Sequence, residues 1–157
     1  MKNNNFKVIG YFDGACAQIN PFGHIGTGGY INYDGEDIFT HTGYVPASKK
    51  TSNNLAEYLA LKELLEFLIR ECMNHEEIII NGDSKLVINQ MQGFWKIKNG
   101  FYVETALLCQ KYLEDFPFIR LNWIPRELNT KADELSNVEL IKRGIKMFEP
   151  KNESVLH

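Results

Sequence analysis

Cysteine, histidine and positive charge are all in short supply in this sequence. The three cysteines, Cys16, Cys72 and Cys109, lie far apart with no Cys-x-x-Cys pair, which excludes a zinc knuckle and a disulfide framework and fits a reducing interior. The four histidines, His24, His41, His75 and His157, show no metal-ligand spacing and read as solvated. No stretch approaches the ~18 apolar residues of a membrane span, and the polar start is not a basic segment leading into an apolar run. A cytoplasmic protein with no membrane contact is expected. With 17 Lys+Arg against 20 Asp+Glu, a formal charge of -3, the chain has no global basic field. Any contact with nucleic acid must come from a local patch or through bound cations.

What is present describes one ordinary domain. A chain of 157 residues with 44% hydrophobic, 12% aromatic and 24% charged residues is close to globular averages and excludes disordered, collagen-like and coiled-coil classes. Residues 7–12 read as a buried strand ending at Asp13-Gly14, and the Gly-, Asn- and Pro-rich residues 15–29 read as a loop. Further strands at 29–33 and 36–44 flank Asp34-Gly35, a strong hairpin signal. Leu61, Leu64, Leu65, Leu68 and Cys72 recur at helical spacing within 53–73. The isoleucines at 78–80 read as a strand covered on both sides, followed by a short helix at 85–91. A helix at 101–116, a strand at 118–124 and a helix at 130–143 closed by Gly144 complete the pattern. The expected class is α/β, a five-stranded mixed sheet with strands 1–3 antiparallel and strands 1, 4 and 5 parallel, flanked by helices. The domain is placed at residues 1–146, with residues 147–157 as a frayed C-terminal tail.

In open α/β sheets ligands collect beyond the carboxyl ends of the parallel strands, and here those ends are acidic. Asp13 closes strand 1, Asp83 follows strand 4, and Asp133 lies in the first turn of the last helix. Glu57 lies in the first turn of the long helix, on the face shared by Leu61, Leu64 and Leu68. Singly, each has a plainer explanation: Asp83 as an N-cap, Asp133 and Glu57 as complements of the helix dipole, Asn54 with Glu57 as a capping box, Asp13-Gly14 as a turn. Converging on one sheet end, the four would repel one another unless cations neutralised them. Oxygen-only donors select hard metals, and a cluster of four suits two Mg²⁺ ions about 4 Å apart clamping a phosphodiester for attack by water. Spacing alone leaves that convergence open.

Four motifs stand in order along the chain: Tyr11-Phe12-Asp13-Gly14-Ala15, Ser52-Asn53-Asn54-Leu55-Ala56-Glu57, Asn81-Gly82-Asp83-Ser84 and Asn129-Thr130-Lys131-Ala132-Asp133-Glu134-Leu135. They resemble the signatures of type 1 ribonuclease H, over about residues 7–143. The resemblance implies the ribonuclease H-like fold and an endonuclease that hydrolyses the RNA strand of RNA/DNA hybrids by a two-metal-ion mechanism, leaving 3′-hydroxyl and 5′-phosphate ends. It implies Mg²⁺ as cofactor, with Mn²⁺ able to substitute, no small-molecule cofactor, and a monomer. Asp13, Glu57, Asp83 and Asp133 match the family's catalytic, metal-binding carboxylates. Asn53 and Asn54 match positions that meet the minor groove near 2′-hydroxyls, the group that distinguishes RNA from DNA. Ser52 and Asn20 fall near phosphate-contacting positions, and Gly14 is grouped with them as a substrate contact. Lys85 is placed to reach a phosphate or base edge, or else is an exposed helix lysine.

Two departures from the family pattern matter. The loop Trp123-Ile124-Pro125-Arg126-Glu127-Leu128-Asn129 lacks the histidine many members carry there. Arg126 is the nearest candidate replacement, either on a phosphate or as a surface residue paired with Glu127 or Glu134. An arginine side chain cannot shuttle protons as an imidazole does. The second is the short stretch Gln92-Gly93-Phe94-Trp95-Lys96-Ile97-Lys98-Asn99, standing where longer members have a helix and a basic protrusion. Lys96 and Lys98 are candidate phosphate contacts, and Trp95 is a stacking surface or a core anchor. His24 and Cys16 are the further residues of their kinds placed near Asp13. Two competing readings stand beside the nuclease: a non-catalytic hybrid-binding module, which would gain only repulsion from four carboxylates, and a nuclease of the same fold acting on another nucleic acid.

Overall fold

The computed structural model describes residues 6–147, so the proposed tail at 147–157 lies outside the described residues except for Met147. Ile78, Ile79 and Ile80 are each at most 1% exposed, as an apolar run with protein on both faces demands. They form β4 (Ile78–Gly82), which runs parallel to β1 (Val8–Ala17) on one side and to β5 (Ile119–Trp123) on the other. β2 (His24–Tyr33) and β3 (Glu36–Val45) complete the sheet as an antiparallel meander, giving the order β3-β2-β1-β4-β5. Asp34 and Gly35 join β2 to β3 with φ of 51° and 94°, the paired positive angles that a type I′ hairpin requires. The sheet is the one expected from the hydrophobic pattern.

The helices divide between the two faces. α1 (Asn53–Arg70) lays Leu61, Leu64, Leu65 and Leu68 on β1 and β2 and shares a core with Phe12, Ile31, Tyr58, Ile78 and Ile80. α2 (Lys85–Met91) and α3 (Val103–Leu113) pack beside α1. α4 (Thr130–Lys142) packs on β1, β2 and β3 from the other side, because Gly28 faces Ser136 of α4 while its neighbour Gly29 faces Leu64 of α1. Among the described residues no helix is long and apolar enough to cross a membrane.

One expectation fails, and the failure is informative. β1 does not end at Phe12: it continues to Ala17, and β2 begins at His24, so the glycine-rich residues read as loop are mostly strand. Their smallness serves close packing instead of turning. A Cβ on Gly14 would lie 2.3 Å from the Ala56 carbonyl carbon of α1, and one on Gly28 would lie 2.3 Å from the Ser136 nitrogen of α4. Both helices therefore rest backbone to backbone on this part of the sheet, which only glycine permits.

β1 is twice as long as β4, ten residues against five. Its pairing with β4 stops at Phe12↔Gly82, while pairing with β2 continues from Asp13↔Gly28 to Ala17↔His24. Beyond Phe12, β1 has no paired strand on its β4 side among the described residues. This gap at the sheet end lies between α1 on one face and α4 on the other. Because backbone atoms cannot move aside as a flexible side chain can, Gly28→Ala is expected to destabilise the fold by about 3 kcal/mol. An unchanged urea midpoint would show that α4 does not sit this close to β2.

Candidate active site

The gap is where the acidic residues meet. Asp13 is the first β1 residue past the last β4 partner, Asp83 follows β4 directly, and Glu57 and Asp133 enter from α1 and α4. Ligand oxygens of Asp13, Glu57 and Asp83 lie within 4.8 Å of one another. All four carboxylates line one cleft of about 320 Å³, together with Asn53, Cys16, Arg126 and Lys146. A larger hollow of about 440 Å³ under Phe94, against Leu113 and Leu121, has no acidic residue in its wall among the described residues.

Helix capping does not account for these carboxylates. The N-cap of α1 is Ser52, whose Oγ accepts from Leu55 N–H at 3.1 Å. Glu57 is therefore the fifth helical residue, past the first turn where it was expected, and Asn54 makes no capping box with it. Similarly, the N-cap of α2 is Ser84, accepting from Val87 N–H at 3.2 Å, and Asp83 precedes it. Asp133 does lie in the first turn of α4 as expected.

Burial and mutual repulsion set the electrostatics. Asp13, 5% exposed, has its pKa raised from 3.8 to about 7, first by burial and then by the charges of Asp83 and Asp133. Glu57, 4% exposed, is raised well above the usual carboxylate range by burial, then by Asp13 and Asp83. Asp83 is raised by burial and by Asp133, against the opposing pull of an Asn129 hydrogen bond and the Arg126 charge. The Gly14 N–H donates to Asp13 Oδ1 at 2.9 Å, and Asn129 Nδ2 donates both to the Phe12 carbonyl at 2.9 Å and to Asp83 Oδ2 at 3.1 Å. Among the described residues the buried Glu57 Oε1 finds no hydrogen-bond partner. A buried carboxylate oxygen without a donor, clustered with the oxygens of two further carboxylates, is the setting of a hard divalent cation.

The other candidates fall into two groups. Gly14 is buried against α1 and supplies its N–H to Asp13. Asn20 Oδ1 accepts from Asn53 N–H at 2.8 Å, tying the loop after β1 to the start of α1, where Ser52 and Asn53 are half-buried and Asn54 is exposed. Arg126 reaches the cleft. Lys85 follows the cleft residue Ser84, and its Nζ lies 5.1 Å from the centroid of the Trp123 ring, whose Nε1–H donates to the Asp83 carbonyl at 3.2 Å. Lys96 and Lys98 are not in the cleft wall: they are exposed on the segment after α2, where Gln90 Nε2 donates to the Lys96 carbonyl at 2.9 Å. Trp95 on the same segment is 48% exposed and anchors no core.

Of the neighbours of Asp13, Cys16 lines the cleft and His24 does not; His24 Nδ1 instead bonds the Tyr44 hydroxyl at 2.8 Å. The reading of all histidines as solvated also fails at His41, which bonds Thr27 Oγ1 at 3.1 Å and whose pKa burial lowers. Lys146 is the cleft residue that sequence reasoning missed. It follows Gly144, at φ 71°, in a turn where Gly144 N–H donates to the Ile141 carbonyl and Ile145 N–H to the Leu140 carbonyl, a Schellman motif that folds the chain back. Gly144 signalled the turn; nothing local signalled where the returning chain goes.

A family model described as reverse transcriptase-like matches residues 12–138. The bifunctional protein Rv2228c of Mycobacterium tuberculosis is 35% identical over 88 residues, covering 56% of this chain and 24% of that protein. Ribonuclease HI of Halobacterium salinarum is 30% identical over 141 residues, 85% of this chain and 64% of that protein. The chain thus spans about a quarter of the mycobacterial relative and under two thirds of the haloarchaeal one. Among solved structures, LC11-RNase H1 from compost, in complex with an RNA/DNA hybrid, superposes with a TM-score of 0.77 at 33% identity, covering 89% of this chain and 100% of that one.

The raised carboxylates fix the sign of a pH dependence. A folded-state pKa of about 7 for Asp13 against 3.8 unfolded means that the folded protein binds more protons. The stabilisation is complete below the unfolded value and is lost as pH rises through the folded one. In chelator, the melting temperature is expected to fall between pH 5 and pH 8. Asp13→Asn should flatten that slope and melt higher than wild type at pH 8, and Mg²⁺ should raise the wild-type value more at pH 8 than at pH 5. A melting temperature that rises over this range in chelator contradicts the assignment.

Proposed function

The chain belongs to the reverse transcriptase-like family and is homologous to ribonuclease HI, and on that premise we propose that it is an endonuclease hydrolysing the RNA strand of RNA/DNA hybrids, leaving 3′-hydroxyl and 5′-phosphate ends. The observation that carries this reading is the convergence of Asp13, Glu57 and Asp83 within 4.8 Å, with Asp133 on the same cleft. These four residues would hold two Mg²⁺ ions, or Mn²⁺ in their place, which when bound activate a water and offset charge on the phosphate under attack. The cleft is lined by residues of a single chain, in keeping with a monomeric enzyme, and the cytoplasm is proposed as its setting.

The chain's own groups have separable tasks. Asn129 holds Asp83 in orientation through the 3.1 Å bond to Oδ2 while its other amide hydrogen ties it to β1. Arg126 lowers the pKa of Asp83 and contacts a phosphate oxygen through its guanidinium, with no part in proton transfer. Lys146 adds a second cation to the cleft wall. At the start of α1, Asn53, Asn54, Ser52 and the loop pinned by Asn20 face the minor groove, where a 2′-hydroxyl marks the RNA strand. Lys85, Lys96 and Lys98 lie along the outer path of the duplex as phosphate contacts. With so few cations, affinity is low and its salt dependence shallow.

The test is cleavage of a labelled hybrid with Mg²⁺, with Mn²⁺ and with chelator, beside single-stranded DNA and a four-way junction. Metal-dependent cutting of the RNA strand alone is expected, lost to background in Asp13→Asn, with Arg126→Ala lowering kcat by about 10²-fold and affinity much less. Hybrid binding without cutting would make the protein a binding module, and cutting of another substrate would make it a nuclease of different specificity. Turnover surviving in Asp13→Asn would refute the site.

A further inference from the structure

The loop between β1 and β2, residues 18–23, is held at several points. Asn20 accepts from Asn53 N–H at 2.8 Å, the Phe22 N–H donates to the Thr51 carbonyl at 2.8 Å, Cys16 Sγ–H donates to the Ile19 carbonyl at 3.3 Å, and Gln18 Nε2 donates to the Ile145 carbonyl at 3.3 Å. These bonds tie it to the start of α1 on one side and to the chain leaving α4 on the other. On this anchored loop Phe22 is 55% exposed with φ at 82°, beside Ile19 at 61% exposure.

Among the described residues Phe22 is outside the buried core and packs on none of it. A bulky side chain at positive φ is strained where glycine is not, and half-exposed the ring recovers little of that cost from burial. Single exposed apolar side chains are ordinary; a strained aromatic on a pinned loop is not, and strain of this kind collects at sites of function. The position indicates which function. Through its bond to Thr51, Phe22 stands directly beside Ser52 and Asn53, at the edge of the surface read above as facing the minor groove.

We propose that Phe22 is a substrate-binding residue whose ring lies against ribose and base edges in the minor groove of the RNA/DNA hybrid next to Asn53. This rests on the hybrid reading and adds to it a contact without hydrogen bonds. Such a contact is indifferent to base sequence, and it suits a wide, shallow groove better than the narrow minor groove of B-form DNA.

Phe22→Gly tests the idea without threatening the fold, since glycine adopts φ near 82° freely. The expected result is a melting temperature equal to or above wild type, KM for a labelled hybrid raised about tenfold, and kcat within about twofold of wild type. Phe22→Trp should keep KM near the wild-type value. An unchanged KM in Phe22→Gly overturns the proposal, as does a rise in KM accompanied by a lower melting temperature, which would make the ring part of the fold. If wild type neither cuts nor binds hybrid, the hybrid reading fails, and this contact fails with it.

Discussion

Like charges held together in a poorly solvated cleft are the constraint around which this end of the molecule is arranged. Asp13, Glu57 and Asp83 come within 4.8 Å, and burial alone already disfavours each as an anion. No local preference would assemble them; the hydrophobic layers do. The Leu61, Leu64, Leu65 and Leu68 face fixes α1 on β1 and β2, which fixes Glu57. The approach of α4 to Gly28 fixes Asp133 on the other side. The core thus supplies stability that the site spends, a conflict between local and global preference that is characteristic of functional positions.

The same arrangement explains why β4 is short. A β4 that continued beside Asp13 would close the gap, cover the β1 edge and separate Glu57 from Asp83. Its end at Gly82 leaves the Phe12 carbonyl facing the gap, and the Asn129 side chain satisfies it at 2.9 Å while gripping Asp83. One amide therefore links the end of the strand, the start of α4 and a carboxylate of the cleft. Arg126 and Lys146 add positive charge to a cleft whose other charges are negative.

What was legible in the sequence was what adjacent residues decide among themselves. Asp34-Gly35 announces its turn because both residues tolerate positive φ, and the isoleucine run announces a central strand. The four carboxylates were legible as motifs, and Glu57 also by its place on an apolar face. What could not be read depends on distant partners. Gly14, Gly26, Gly28 and Gly29 resemble a flexible loop until two helices are known to rest on them. Lys146 resembles the start of a tail until the turn at Gly144 carries it back to the cleft. The capping explanations for Asp83 and Glu57 fell because Ser84 and Ser52, one and five residues away, do the capping.

The central claim is that this cluster is built to hold divalent cations. Calorimetric titration of Mg²⁺ into wild-type protein at pH 7, repeated in two buffers of different ionisation enthalpy, tests it directly. Because Asp13 has a pKa of about 7 without metal, saturable binding should release about half a proton or more per protein. The absence of saturable binding, or binding that releases no proton, would contradict the account.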